Sequence, residues 1–129
     1  MAQSAGFHES IEALKVETMD RHRAIVSIME EMDAIDWYDQ RVDASRDDEL
    51  RAILAHNRDE EKEHAAMLLE WLRRRDPVLD RMLRQYLFIE TPILEREAEA
   101  DATEAASGEE MPSQARGDGS LGIGSMRGK

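Results

Sequence analysis

The chain has 129 residues, 29 acidic against 17 basic, and no cysteine; its formal charge is -12. An acid excess of this size argues against a nucleic-acid partner, because phosphate contacts need Lys or Arg. The missing cysteines exclude disulfides, zinc ribbons and thiol catalysis. No run approaches the ~20 apolar residues that span a bilayer, and no signal-peptide pattern is read at the start. The expectation is one modest domain of a soluble, acidic protein in the cytosol.

Glycine divides the chain in two. None occurs from Phe7 to Ser107, whereas six of the seven lie between Gly108 and Gly128. The long glycine-free stretch, rich in Ala, Leu, Met, Glu and Arg, predicts helices joined by short turns. Up to Glu95 there are 22 acidic and 13 basic residues, so the charge belongs mainly to this helical part.

In chain order, residues 1–9 are expected to be flexible. A first helix is predicted from near Ser10 to about Tyr38. Its seam is Ile11, Leu14, Thr18, Arg21, Ile25, Ile28, Met32 and Ile35, spaced by three and four. Asp39 to Arg46 reads as a loop, with Ser45 placed to cap the next helix. That second helix is predicted from about Arg46 to Arg75, ~45 Å long at ~1.5 Å per residue. Its seam reads Leu50, Leu54, Asn57, Glu61, His64, Leu68, Trp71. Asp76-Pro77 starts a third helix running to about Glu90, and Thr91-Pro92 starts a shorter one that fades near Ala102. The helical domain thus spans residues 10–102, followed by a linker over 103–118 and a terminal segment over 119–129.

The chemistry sits on the second seam. Glu61 and His64 occupy places where the 3-4 spacing demands apolar residues. They stand about 60° apart around the helix and ~4.5 Å along it, so both can grip one ion. A buried carboxylate must be protonated, paired or metal-bound. On the first helix Glu31 falls between Ile28 and Ile35 on another 3-4 line, which ends at Tyr38. Glu-x-x-His alone is common in solvated helices; the coincidence of three in-stripe groups on two long helices is what points to metal. A carboxylate-bridged di-iron bundle takes one Glu from each of two helices and a Glu-x-x-His from each of the other two. This chain holds half of that set on half of a four-helix bundle. A two-fold dimer supplies both missing halves. The expected fold is therefore all-α, an antiparallel two-helix hairpin plus shorter C-terminal helices, half of a ferritin-like bundle completed by dimerisation. Four glutamates and two neutral imidazoles balance two Fe²⁺ ions, and hard carboxylate oxygens favour Fe³⁺. His22 and His56 read as surface or interface histidines, Trp71 as packing, and Arg73-Arg74-Arg75 as complements of a helix C-terminus.

From about Glu12 to Phe88 the chain resembles the encapsulated ferritins. The matching stretches are Asn57-Arg58-Asp59-Glu60-Glu61-Lys62-Glu63-His64-Ala65-Ala66-Met67 and Ile35-Asp36-Trp37-Tyr38-Asp39-Gln40-Arg41-Val42-Asp43. The resemblance implies a ferroxidase centre of Glu31, Glu61 and His64 from two subunits, with Tyr38 nearby. It also implies a ring of five dimers, a homodecamer. It further implies a metal approach site at Glu30, Asp33 and Trp37; Asp33 is one methylene shorter than the expected Glu. The terminal stretch Gly119-Ser120-Leu121-Gly122-Ile123-Gly124-Ser125-Met126-Arg127-Gly128 resembles peptides that dock cargo inside encapsulin shells, with Leu121, Ile123 and Met126 as its apolar anchors. The function so implied is oxidation of Fe(II) to Fe(III) for mineral storage in the lumen of an encapsulin nanocompartment of the bacterial cytoplasm. A helical dimerisation module, or a manganese or peroxide-handling di-metal enzyme, is the alternative.

Overall fold

A computed structural model describes residues 6–110 of the chain. A 3-10 turn (Ile11–Ala13) is followed by α1 (Val16–Ala44), α2 (Asp48–Arg75), α3 (Pro77–Tyr86) and α4 (Ile93–Glu110). No strand occurs among the described residues, as the all-α expectation requires. The chain divides into two compact units, the first ending at Leu72 and the second beginning at Arg73.

In the first unit α1 begins later and ends later than its predicted span from Ser10 to Tyr38. Ser10 makes no side-chain cap and opens only the 3-10 turn, and the backbone is extended at Leu14 and Lys15 before α1 starts. At the other end, the predicted loop from Asp39 to Arg46 is mostly helix. Neither Gly nor Pro interrupts it, and Arg51 Nε donates to the Val42 carbonyl at 3.0 Å, which satisfies one acceptor of the last turn. Arg41 lies over the Tyr38 ring, 5.4 Å from its centroid. The cap of α2 also moves from the expected Ser45. The Asp47 carboxylate accepts from Leu50 N–H at 2.8 Å, while Ser45 Oγ accepts from Asp47 N–H at 3.3 Å and only closes the turn.

The helices α1 and α2 form an antiparallel hairpin. Arg51 meets Val42, Arg58 meets Asp39 at 3.0 Å and His64 meets Glu31 at 3.6 Å, so one residue number rises as the other falls. Its apolar interior is thin: Ala24 and Leu72 are the only buried apolar residues among the described ones. The α2 line from Leu54 through Asn57, Glu61, His64 and Leu68 to Trp71 is half-buried, as the seam predicts, but its first member Leu50 is exposed in the first turn of α2. On α1 the seam residues Ile25 and Met32 are instead exposed, as is Met67 on α2. Arg21 donates to Thr18 Oγ1 at 3.4 Å, so the two polar seam positions satisfy one another.

In the second unit the Asp76-Pro77 start is as expected. The Asp76 carboxylate accepts from Val78 and Leu79 N–H at 3.1 and 3.0 Å. α3 stops at Tyr86, short of the predicted Glu90, and Phe88 turns the chain with a φ of 60°. α4 begins after Thr91-Pro92 and runs on to Glu110, past the predicted fade near Ala102. The run Ala102, Thr103, Glu104, Ala105, Ala106 carries no breaker, and alanine is the strongest helix former. Residues 103–110 of the predicted linker are therefore helix. The rest of that linker and the docking segment 119–129, with Leu121, Ile123 and Met126, lie outside the described residues.

Among the described residues one charge is wholly buried. Asp80 on α3 has no exposed surface, and it accepts from Arg73 and from Arg84 Nε, the latter at 3.0 and 3.2 Å to its two oxygens. Arg73 thus has a specific partner as well as a place at a helix terminus. Burial alone pushes the Asp80 carboxyl up, but the two guanidinium hydrogen bonds outweigh it and hold the group below the usual carboxylate value. A depressed folded-state pKa stabilises the fold above the unfolded value of about 3.9 and is lost as pH falls below it. Asp80→Asn is expected to cost about 2 kcal/mol at pH 7, and the difference from wild type should shrink below about pH 4. Urea unfolding at pH 7 and pH 3 measures this; an equal deficit at both pH values contradicts it.

Candidate metal centre

Three side chains converge midway along the α1–α2 hairpin. Glu31 comes from α1, while Glu61 and His64 stand one helical turn apart on α2. One ligand atom from each lies within 4.8 Å of the other two, and among the described residues no other group of three His, Asp or Glu side chains does this. His64 Nδ1 is 3.2 Å from Glu61 Oε1 and 3.6 Å from Glu31 Oε1. The two carboxylates are about one quarter exposed and the imidazole 43% exposed, so the set faces outward on one side.

The electrostatics show two acids competing for one proton. A hydrogen bond shared with Glu61, some burial and the repulsion of the second carboxylate raise Glu31 above the usual value; His64 offsets this in part. The same hydrogen bond, joined by one to His64, lowers Glu61. His64 is raised, first by its hydrogen bond to Glu61 and then by the charge of Glu31, against a desolvation that opposes it. Such a pair titrates as a unit. A cation placed among the three removes the repulsion and competes with protons for the ligand atoms. Oxygen donors with one imidazole suit a hard or borderline metal such as iron or manganese, and no sulfur donor favours a softer one.

The other predicted site residues are not in this cluster. Tyr38 lies seven residues along α1 from Glu31, ~10 Å by helical rise, under Arg41. Glu30, Asp33 and Trp37 share an exposed face of α1, turned about 100–160° from Glu31, and Trp37 is 52% exposed. His22 packs on the Phe7 ring with centroids 4.4 Å apart. His56 approaches Glu60 at 3.6 Å on an exposed face of α2. A cavity of about 550 Å³ between α1 and α2 opens beside His64, walled by Ala24, Ser27, Met67, Leu68 and Trp71. Sequence reasoning assigned Trp71 to packing. Its place two turns beyond His64 on one seam was the signal that it borders the same space.

Residues 6–90 match the EncFtn-like family. The chain belongs to that family. This bears out the resemblance to the encapsulated ferritins. The EncFtn-like chain is 63% identical over 131 residues to a Rhodospirillum rubrum protein named "Encapsulated ferritin-like protein", covering all of this chain and 94% of the relative. It is 36% identical over 77 residues to the Myxococcus xanthus "Encapsulin nanocompartment cargo protein EncC", covering 60% of this chain and 59% of that one. The crystal structure of protein ne0167 from Nitrosomonas europaea superposes with a TM-score of 0.66 at 61% identity, over 68% of this chain and 97% of that one.

Proposed function

We propose that this EncFtn-like chain is a ferroxidase, oxidising Fe²⁺ to Fe³⁺ at a centre shared by two copies and releasing it for mineral storage inside an encapsulin shell. The observation that carries this is the convergence of Glu31, Glu61 and His64 within 4.8 Å. Two such sets, related by a two-fold axis, offer four carboxylates and two imidazoles, enough negative charge to neutralise two Fe²⁺ ions. Iron is the substrate here, and each ion gives up one electron to O₂ or peroxide. Glu61, one turn from His64 on α2 and within 4.8 Å of a Glu31 ligand atom, would take the shared position between the metals. Glu31 and His64 would hold one iron each. Tyr38 stands further along α1, and Glu30, Asp33 and Trp37 form the proposed approach site.

Pairing is supported by what a single chain leaves open. Ile25, Met32 and Met67 are 47–58% exposed on the hairpin that carries the ligands. A ring of five such dimers, an encapsulin partner docked through Leu121, Ile123 and Met126, and a place in the shell lumen complete the reading. They rest on the family and on the relatives named as encapsulated or as encapsulin cargo. Among the described residues no helix is long and apolar enough to cross a membrane.

The test is aerobic Fe²⁺ oxidation followed optically, together with metal analysis of the purified protein. Oxidation well above the buffer rate supports the reading; a metal-free protein no faster than buffer leaves a dimerisation module. The raised Glu31 and His64 add a sign. Both hold protons to higher pH than usual, and a bound divalent ion must displace them, so affinity rises with pH through that range. Calorimetric titration with redox-silent Zn²⁺ at pH 5, 6 and 7 should show affinity climbing with pH. An affinity independent of pH over that range contradicts the raised Glu31 and His64.

A further inference from the structure

A second cavity, of about 320 Å³, lies between α3 and α4, far along the chain from the carboxylate cluster. Its size falls at the lower end of the ~300–1,000 Å³ usual for small-molecule sites. Arg81 and Arg96 line it from opposite helices, together with Gln85, Thr103 and Glu104. Arg96 is held in place: its Nε donates to the Gln85 carbonyl at 3.0 Å. Among the described residues its only ion pair is with Glu99 at 3.9 Å, and that carboxylate is 61% exposed, which makes it a weak competitor. Arg81 is half-buried yet makes no hydrogen bond or ion pair with any described residue. In a chain with 29 acids to 17 bases, a guanidinium beside a cavity that pairs with no carboxylate among the described residues is out of keeping with its surroundings.

We propose that this cavity binds a tetrahedral oxyanion of the phosphate class, gripped between the Arg81 and Arg96 guanidiniums. Each guanidinium has five N–H donors, and Arg96 spends one on Gln85, so most of its fork remains available. Planar carboxylates match a single fork. Two forks from two helices suit an anion whose oxygens point in several directions. The Thr103 hydroxyl and the Gln85 amide are further polar groups in the lining. Glu104 sets an opposing charge at the cavity and limits affinity, so the site is a weak, exchangeable one. The inference is independent of the ferroxidase reading, since none of these residues belongs to the metal cluster.

Calorimetric titration of the full-length protein with inorganic phosphate tests it, with acetate and chloride as control anions. One phosphate per chain should bind saturably, more tightly than acetate. Arg81→Ala should weaken binding about tenfold or more, and because Arg81 makes no hydrogen bond or ion pair with a described residue, helicity should stay unchanged in circular dichroism. Glu104→Gln should tighten binding, an opposite shift that general damage to α4 would not produce. Glu61→Ala should bind phosphate as wild type does, which separates this cavity from phosphate carried on bound metal. Absence of saturable phosphate binding, an unchanged affinity in Arg81→Ala, or loss of binding in Glu61→Ala overturns the proposal.

Discussion

Glu61→Ala is expected to bring aerobic Fe²⁺ oxidation down to the rate of buffer alone. Glu61 brings its carboxylate within 4.8 Å of Glu31 and 3.2 Å from His64 Nδ1. In a centre built across a two-fold axis, one substitution removes a carboxylate from each half at once. Changing a partner that merely orients a ligand costs about 10–100-fold in metal affinity or activity, so losing a direct ligand twice should exceed about 100-fold. The fold should survive. Alanine is the best helix former, position 61 lies inside α2, and the change relieves the competition with Glu31 for a proton. Circular dichroism should therefore match wild type while the rate collapses. A second readout is assembly. Converging carboxylates repel one another without metal, so Fe²⁺ should tighten the wild-type dimer in sedimentation and have no such effect on the variant. A Glu61→Ala protein that oxidises iron at the wild-type rate would remove the ferroxidase assignment from this cluster.

Deleting residues 119–129 is expected to abolish packaging and leave oxidation untouched. Leu121, Ile123 and Met126 are separated by glycine and serine, so each offers little area alone. The proposed ring would present many such tails to one shell, and avidity multiplies a weak contact by orders of magnitude without any new interaction. Single changes such as Ile123→Ala should then lower loading gradually, whereas deletion ends it. Co-expression with an encapsulin shell protein, purification of shells and measurement of co-eluting cargo decide the matter. Shells loaded equally by the truncated chain would sink the docking assignment, and a truncated chain that has lost oxidation would join tail and centre in one role.

What the sequence disclosed, and what it hid, follows from where each interaction lies. Glu61 and His64 stood out because a 3-4 line of apolar residues on α2 makes two polar ones conspicuous, and that line is the half-buried face in the structure. Glu31 followed from the same reasoning on α1. Asp76-Pro77 is a local signal, complete within four residues, and the structure keeps it. The end of α1 was hidden because its last turn is completed by Arg51, nine residues away across the turn. The shift of the α2 cap from Ser45 to Asp47 is a choice between two good capping residues, which composition does not rank. Asp80 was least visible. A lone aspartate on a short helix looks solvated, and only packing shows it buried between Arg73 and Arg84.

The thin interior of the hairpin has a thermodynamic consequence. Unfolding raises the heat capacity in proportion to the apolar surface newly exposed to water, and a hairpin that buries only Ala24 and Leu72 has little to expose. In the proposed dimer, part of that heat-capacity change would belong to separating the copies. Folding and association would then be coupled, and the midpoint would climb with protein concentration. For such a dimer the quantity to compare between variants would be the midpoint at a stated concentration.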